Sequence, residues 1–280
     1  MLSKAYIEIT NVCNLSCAFC HGTARDARFL SVDDFKAFAS ALRPYTEYFY
    51  LHVLGEPLLH PNLDAILSVC DGLSSKVTVV TNGTLIAEKG DLLLRHPSLY
   101  KVAFSVHAYP ANFPKADPAP YLSGLMDFAD RAAGKCLIVY KFWNGGSPDA
   151  ADNAPFLAAL SAHYPEFTLT RGGVRLQKGV FVDFADRFVW PDPSQTGASP
   201  RFCMALRDQL AVLSDGAVVP CCLDADGNIP LGNLHRDTVE EILSSPRAKA
   251  IVKGFSEGRA VERLCQTCPF AAQKFGERKN

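Results

Sequence analysis

Apolar residues follow two rhythms along the first two thirds of the chain. Short extended runs, rich in β-branched and aromatic side chains, occur at Tyr6–Thr10, Tyr48–Leu54, Lys76–Thr81, Lys101–Val106, Cys136–Phe142 and Phe167–Thr170. These six read as strands. Between them the period lengthens to that of a helix. Phe35, Phe38, Ala39 and Leu42 share one helical face, as do Leu63, Ile66, Leu67 and Cys70, and then Leu122, Leu125, Met126 and Ala129. Ser31 is placed to cap the first of these, with Asp34 at the third position favouring its positive end. Gly134 is placed to end the third, and Pro155 to open a helix carrying Phe156, Leu157 and Leu160.

Strand, helix and strand at this spacing predict right-handed βαβ units in a parallel sheet. Six units predict an α/β fold, a partial (β/α)6 TIM-like barrel open on one side. In such sheets chemistry collects at the C-terminal ends of the strands. After Gly179 the pattern changes. FVDFADRFVWPDPSQTGASP has no helical period and is expected to be a connecting segment, with Trp190–Pro200 as the linker. The expected domains are 1–190 and 191–280. In the second, a capping box of Thr238 and Glu241 opens a helix carrying Val239, Ile242 and Leu243. Ala248, Ile251, Val252 and Phe255 mark another.

Composition narrows the function. Of 280 residues, 48% are apolar and 20% charged, with a formal net charge of −1. Such a balance offers nothing to a nucleic acid or to an anionic membrane surface. No apolar run reaches the roughly 20 residues of a membrane span. The opening MLSKAYIEIT has no h-region, so a cytoplasmic location is expected. Ten cysteines then need a reason other than disulfides. They gather toward the two ends, with Cys70 and Cys136 between, where each reads as a small buried hydrophobe.

The first group is CNLSCAFC: Cys13, Cys17 and Cys20, just past the first run. Iron–sulfur cubanes are usually held by four thiolates. Three leave one iron without a protein ligand, and a vacant coordination position invites a substrate. The competing reading is a structural zinc loop completed by His21 or by a distant histidine.

The C-x3-C-x2-C spacing after a first strand, with Phe19 before the last cysteine, resembles the radical S-adenosylmethionine (SAM) superfamily. There the open iron chelates the amino and carboxylate groups of SAM, and reductive cleavage gives a 5′-deoxyadenosyl radical that abstracts a substrate hydrogen. Further stretches fit the resemblance. Gly55-Glu56-Pro57 is similar to the family's GGEP segment, which implies that Glu56 receives the methionine ammonium. Thr81-Asn82-Gly83 is similar to its TNG, and Ser105 stands where the family often places a ribose-binding serine, with His107 following. The resemblance thus implies Gly55, Glu56, Asn82 and Ser105 as cofactor contacts. The fifth run lacks the family's G-x-I-x-G, so Lys141 and Asn144 are left as candidates for adenine contact.

The second group is Cys203, the G-x4-C of Gly216–Cys221, and Cys265-x2-Cys268 before Pro269, with Gly232-Asn233-Leu234 between. It resembles the SPASM/twitch extension of the same superfamily, which implies one auxiliary 4Fe-4S cluster on Cys203, Cys221, Cys265 and Cys268. A zinc ribbon is the competing reading. Cys222 is either a hydrogen-atom donor, as in related sugar epimerases, or a packing residue.

Together these imply two 4Fe-4S clusters, SAM, a flavodoxin or ferredoxin electron donor, and a small-molecule or peptide substrate. The expected reaction is a two-electron oxidation with the auxiliary cluster as electron acceptor, as in the twitch-type dehydrogenase of 2-deoxy-scyllo-inosamine. Rivals are a peptide or protein maturase, disfavoured because the chain opens almost directly on its first strand, a radical epimerase, and a non-catalytic iron–sulfur carrier. Arg171, Arg175, Lys178 and Asp183 follow the sixth run and are unranked candidates for the base.

Overall fold

A computed structural model describes residues 1–170, 173–197 and 200–275. In chain order the elements begin with β1 (Lys4–Ile7), α1 (Val32–Leu42), β2 (Tyr48–Tyr50), α2 (Leu63–Gly72), β3 (Lys76–Thr81), α3 (Ile86–Leu94) and β4 (Leu99–Ser105). They continue with α4 (Ala108–Asn112), α5 (Ala119–Arg131), β5 (Leu137–Gly145), α6 (Ala154–His163), β6 (Thr168–Thr170), β7 (Gly173–Gln177) and β8 (Val180–Asp186). The remainder are β9 (Gln209–Val212), β10 (Ala217–Val219), β11 (Gly232–Asn233), α7 (Val239–Ser244), α8 (Pro246–Ser256), α9 (Arg263–Gln266) and α10 (Pro269–Phe275).

These form two compact units, each discontinuous in sequence. One comprises Met1–Val12, His21–Gly55 and the chain from Phe188 onward; the other comprises Cys13–Cys20 and Glu56–Arg187. In the first, β1 lies between β2 and β9, parallel to both, and a meander of β10 and β11 continues antiparallel from β9. Its core holds a buried carboxylate. Glu8 is fully buried and accepts two hydrogen bonds from the Arg25 guanidinium at 2.8 Å. It also accepts from the Leu54 N–H at 3.2 Å and the Ser214 N–H at 3.0 Å.

The second unit is a parallel run of β3, β4, β5 and β8, extended by antiparallel β7 and β6. Strand β5 alternates: Ile138, Tyr140, Phe142 and Asn144 are buried, while Leu137, Val139, Lys141 and Trp143 are half-buried. The buried set faces the helices. Tyr140 hydrogen-bonds the Leu125 carbonyl of α5, and Phe104 of β4 meets Phe128 of α5 edge-on at 6.0 Å. The other set therefore looks away from the helices.

Most helix signals hold. Ser31 Oγ accepts from the Asp34 N–H at 3.0 Å, and Thr238 and Glu241 form the reciprocal capping box. Pro155 sits in the first turn of α6, and Gly134 follows α5 at a positive φ of 77°. Val252, expected on the apolar face of α8, is exposed, because Ala248, Ile251 and Phe255 already fill that stripe. The sixth strand is a correction. β6 is exposed and pairs antiparallel with β7, whereas the strand parallel to β5 is β8. The start of the expected connecting segment, Phe181–Asp186, is thus strand. Val180 and Val182 are its buried alternation, and Gly179, at φ 84°, turns the chain into it from β7. Among the described residues, no helix is long and apolar enough to cross a membrane.

Candidate active site

The three N-terminal thiols occupy an irregular loop. Cys13 and Cys20 are exposed and Cys17 is half-buried. Few bonds hold the loop internally: the Cys20 N–H donates to the Cys17 carbonyl at 3.0 Å and the Leu15 N–H to Cys13 Sγ at 3.4 Å. Partial burial pushes the Cys13 thiol up; the Leu15 hydrogen bond pulls it down, and the neighbouring Glu56, Cys17 and Cys20 push it up further. Cys17 is pushed up by burial and pulled down by a hydrogen bond from Asn112. Three thiolates this close repel one another unless a cation lies among them.

Glu56 and Asn82, expected as SAM contacts, lie beside this loop. Gly55 has a φ of 75°, and a Cβ there would strike the carbonyl oxygens of Thr10 and Val12, so only glycine fits. Glu56 is buried at 1% exposure. One of its oxygens accepts from the Leu58 N–H at 3.0 Å and the other from the Asn82 N–H at 2.7 Å. Burial holds its carboxyl above the usual carboxylate range, opposed by these hydrogen bonds. Asn82 in turn donates to Asn14 Oδ1 at 2.8 Å, and Asn14 donates to Thr84 Oγ1 at 2.9 Å. The Tyr121 hydroxyl closes the turn on the Asn82 carbonyl at 2.8 Å. Glu56 and Asn82 are thus one hydrogen-bonded unit that leads to the cysteine loop.

At the C-terminal strand ends, Ser105, Lys141 and Asp183 lie in one row across β4, β5 and β8, on the face away from the helices. Trp143 joins them: its indole N–H donates to Asp183 Oδ2 at 3.0 Å, and Lys141 Nζ lies 4.0 Å from its ring centroid. His107 Nδ1 meets the Lys141 carbonyl at 3.1 Å, and its ring lies 5.0 Å from that of Phe19 in the cysteine loop. Burial holds the His107 imidazole below its ordinary value. Asn144 does not join this group. It is fully buried, and its carboxamide pairs with Asn153 and the Asp149 carbonyl. Arg175 and Lys178 are exposed on β7 and its turn, and Arg171 lies outside the described residues.

In the other unit, Cys203, Cys221, Cys265 and Cys268 line one cavity of about 460 Å³. Ile229, Phe255, Leu264 and Phe270 supply apolar walls to it. Burial pushes the Cys221 and Cys265 thiols well up, and nearby thiols, Cys203 for both, push in the same direction. A single tetrahedral ion bonded at about 2.3 Å gathers its sulfurs round one point. Here four thiols line one shared space. A four-iron cube, which takes one thiolate on each iron, fits that arrangement. Cys222 turns away from the cavity lining into an apolar cluster with Tyr6, Val219 and Trp190. Cys70 and Cys136 are buried, with burial pushing their thiols up to about 12 and about 11.

Comparison with known proteins agrees with this layout. The radical SAM superfamily matches residues 7–145, and the iron–sulfur cluster-binding domain SPASM matches residues 203–269. The chain belongs to the radical SAM superfamily and carries a C-terminal SPASM domain. The first domain binds a 4Fe-4S cluster and SAM, and the second binds auxiliary iron–sulfur clusters. A probable GTP 3',8-cyclase of Pyrobaculum aerophilum is 28% identical over 123 residues, 42% of this chain and 39% of that protein. Another, from Methanocella arvoryzae, is 33% identical over 94 residues, 33% of this chain and 30% of that one. The match spans well under half of either relative's length.

Among solved structures, BtrN in complex with AdoMet and 2-DOIA aligns with a TM-score of 0.57 at 17% identity, covering 96% of this chain and 93% of BtrN. SuiB of Streptococcus suis, bound to precursor peptide SuiA, gives 0.63 at 15% identity, covering 96% of this chain and 71% of SuiB. The anSMEcpe enzyme with bound AdoMet gives 0.65 at 13% identity, covering 100% and 92%. The likeness is one of fold: a mixed α/β fold with an open, largely parallel sheet, the partial TIM-like barrel expected from the sequence, followed by the SPASM domain.

Several residues of these sites have no signature in the sequence. Asn112, Thr84 and Tyr121 belong to no recognisable spacing, and they enter the site only through hydrogen bonds made across the fold. Trp143 shows no signal beyond its place directly after the fifth run.

Proposed function

We propose that this radical SAM enzyme oxidises a carbinol carbon of a small molecule by two electrons, giving a ketone. The observation that carries the reading is the division of thiols. Three stand on an open loop beside Glu56 and Asn82, while four line one cavity in the other unit. When bound, the first cluster and SAM supply a 5′-deoxyadenosyl radical that removes the hydrogen atom from carbon.

The chain's residues do the rest. Cys13, Cys17 and Cys20 would hold the cluster, which would bind SAM. Glu56, anchored by two backbone N–H groups and the Thr81 hydroxyl, keeps a lone pair for the methionine ammonium. Gly55 permits the turn that delivers it, Asn82 ties it to the loop, and Ser105 meets the ribose.

Asp183 takes the hydroxyl proton as the carbon–oxygen double bond forms. Of the candidate bases, it is the one whose carboxylate lies in the row with Ser105 and Lys141 and is oriented by a hydrogen bond from Trp143. Cys203, Cys221, Cys265 and Cys268 would hold an iron–sulfur group that, when bound, would supply an acceptor for the remaining electron. Atoms and charges then balance: one hydrogen atom to the nucleoside radical, one proton to Asp183 and one electron to the four-thiolate site. A flavodoxin or ferredoxin supplies the starting electron.

A peptide substrate is the second reading. It is favoured by the likeness to SuiB and to anSMEcpe, whose structures hold peptides.

The test uses reconstituted enzyme, dithionite, SAM, and a panel of cyclitols and aminocyclitols deuterated at the carbinol carbons. Deuterium in 5′-deoxyadenosine together with a ketone product is expected. Incorporation of solvent deuterium at an inverted carbon, with no ketone, would instead establish epimerisation. Turnover restricted to peptides would establish the second reading.

A further inference from the structure

The carboxamide of Asn112, at the end of α4, is held on both sides. Its Oδ1 accepts from the Ser16 N–H at 3.0 Å, a group that can only donate. Its Nδ2 donates to the Ala108 carbonyl at 2.8 Å, a group that can only accept. Exchanging oxygen and nitrogen would set donor against donor and acceptor against acceptor, so the orientation is fixed. The second hydrogen of Nδ2 is therefore left for Cys17 Sγ, which lies 3.1 Å away. The neighbouring thiols differ. Asn82 Nδ2 approaches Cys13 Sγ only to 3.9 Å while also donating to Asn14. Among the described residues, Cys20 receives no side-chain amide.

We propose that Asn112 is a positioning residue for the N-terminal cluster, which both anchors the Ser16–Cys17 backbone and donates a hydrogen bond to the Cys17 sulfur. The proposal rests on the reading that Cys13, Cys17 and Cys20 hold a 4Fe-4S cluster. A donor aimed at a ligating thiolate draws charge from the sulfur and favours the reduced, more negative state of the cluster. The consequence is a higher reduction potential at the open site, which the electron donor fills more readily. The anchoring matters as well, because Asn112 ties the middle of this exposed loop to α4.

The test is a redox titration followed by electron paramagnetic resonance on full-length, anaerobically reconstituted protein. The signal that changes shape on adding SAM identifies the N-terminal cluster. Two variants separate the roles. Asn112→Leu removes both contacts. Asn112→Asp keeps an acceptor for the Ser16 N–H and replaces the amide donor with an oxygen.

Both variants are expected to disfavour reduction about tenfold, a 59 mV negative shift for a one-electron couple. Asn112→Gln is expected to recover part of that shift. Unchanged midpoints in both variants would overturn the proposal. Loss of the signal from Asn112→Leu alone would support the anchoring, and Asn112→Asp would then decide the hydrogen bond by its midpoint. If Asn112→Asp loses it too, its carboxylate facing the Ala108 carbonyl and the thiolate, Asn112→Gln decides: a retained signal supports the hydrogen-bond role and its loss overturns it. A wild-type chain with no SAM-sensitive signal would instead sink the three-thiolate reading itself.

Discussion

At the scale of single residues, two buried glutamates show how a core tolerates a carboxylate and how its partners decide its use. Glu56 keeps a spare lone pair after accepting from two backbone N–H groups and the Thr81 hydroxyl, which suits it to a cationic ligand. Glu8 does not. It takes four hydrogen bonds from Arg25, Leu54 and Ser214, and these tie three separate stretches of one unit together. Removing one member of such a buried pair leaves the other uncompensated, at a cost of about 3–5 kcal/mol. Glu8→Ala is therefore expected to lower the denaturation midpoint strongly while leaving the N-terminal thiols in place, and urea unfolding checks this. A loss below about 1 kcal/mol would show that water replaces the carboxylate.

At the scale of elements, the turns decide whether strands arrive where the chemistry needs them. Gly55 and Gly179 both have positive φ, but their surroundings differ. A Cβ at Gly179 would meet nothing nearer than the Cys136 carbonyl at 3.8 Å, whereas at Gly55 it would collide with two carbonyl oxygens. Gly179→Ala is expected to cost only the left-handed backbone penalty, about 1–2 kcal/mol. Gly55→Ala is expected to cost more and to lower SAM affinity, since it displaces Glu56. Thermal unfolding and equilibrium binding measure the two.

Elements also mark the limit of what periodicity reveals. The first five runs and the helices α1, α2, α5 and α6 are legible because their apolar residues recur at the proper spacing, and several add a capping or breaking residue such as Ser31 or Gly134; α3 is not among the helices read from the sequence. The sixth is not. Its true strand, Val180–Asp186, contains two aspartates and a half-exposed phenylalanine, so its polar side masks the alternation of Val180 and Val182. The cysteine spacings and the GEP and TNG segments are legible as local patterns. Asn112, Trp143 and the Asp183 row are not, because they are assembled by register and long-range hydrogen bonds.

At the scale of the whole molecule, the ten cysteines sort by environment. Three are on an open loop, four share a cavity, two are buried with thiols pushed far from ionisation, and Cys222 packs in an apolar cluster. The near-neutral net charge of −1 is consistent with a substrate chosen by local groups rather than by a surface field. The central claim is that the N-terminal thiols leave one coordination position open to SAM. Its most direct test is 5′-deoxyadenosine formation by the anaerobically reconstituted chain with dithionite and SAM. The wild type is expected to form it. A chain carrying Cys13→Ala, Cys17→Ala and Cys20→Ala together is expected to form none while retaining about four irons at its other site. No 5′-deoxyadenosine from iron-replete wild type, or undiminished formation by the triple variant, would contradict the claim.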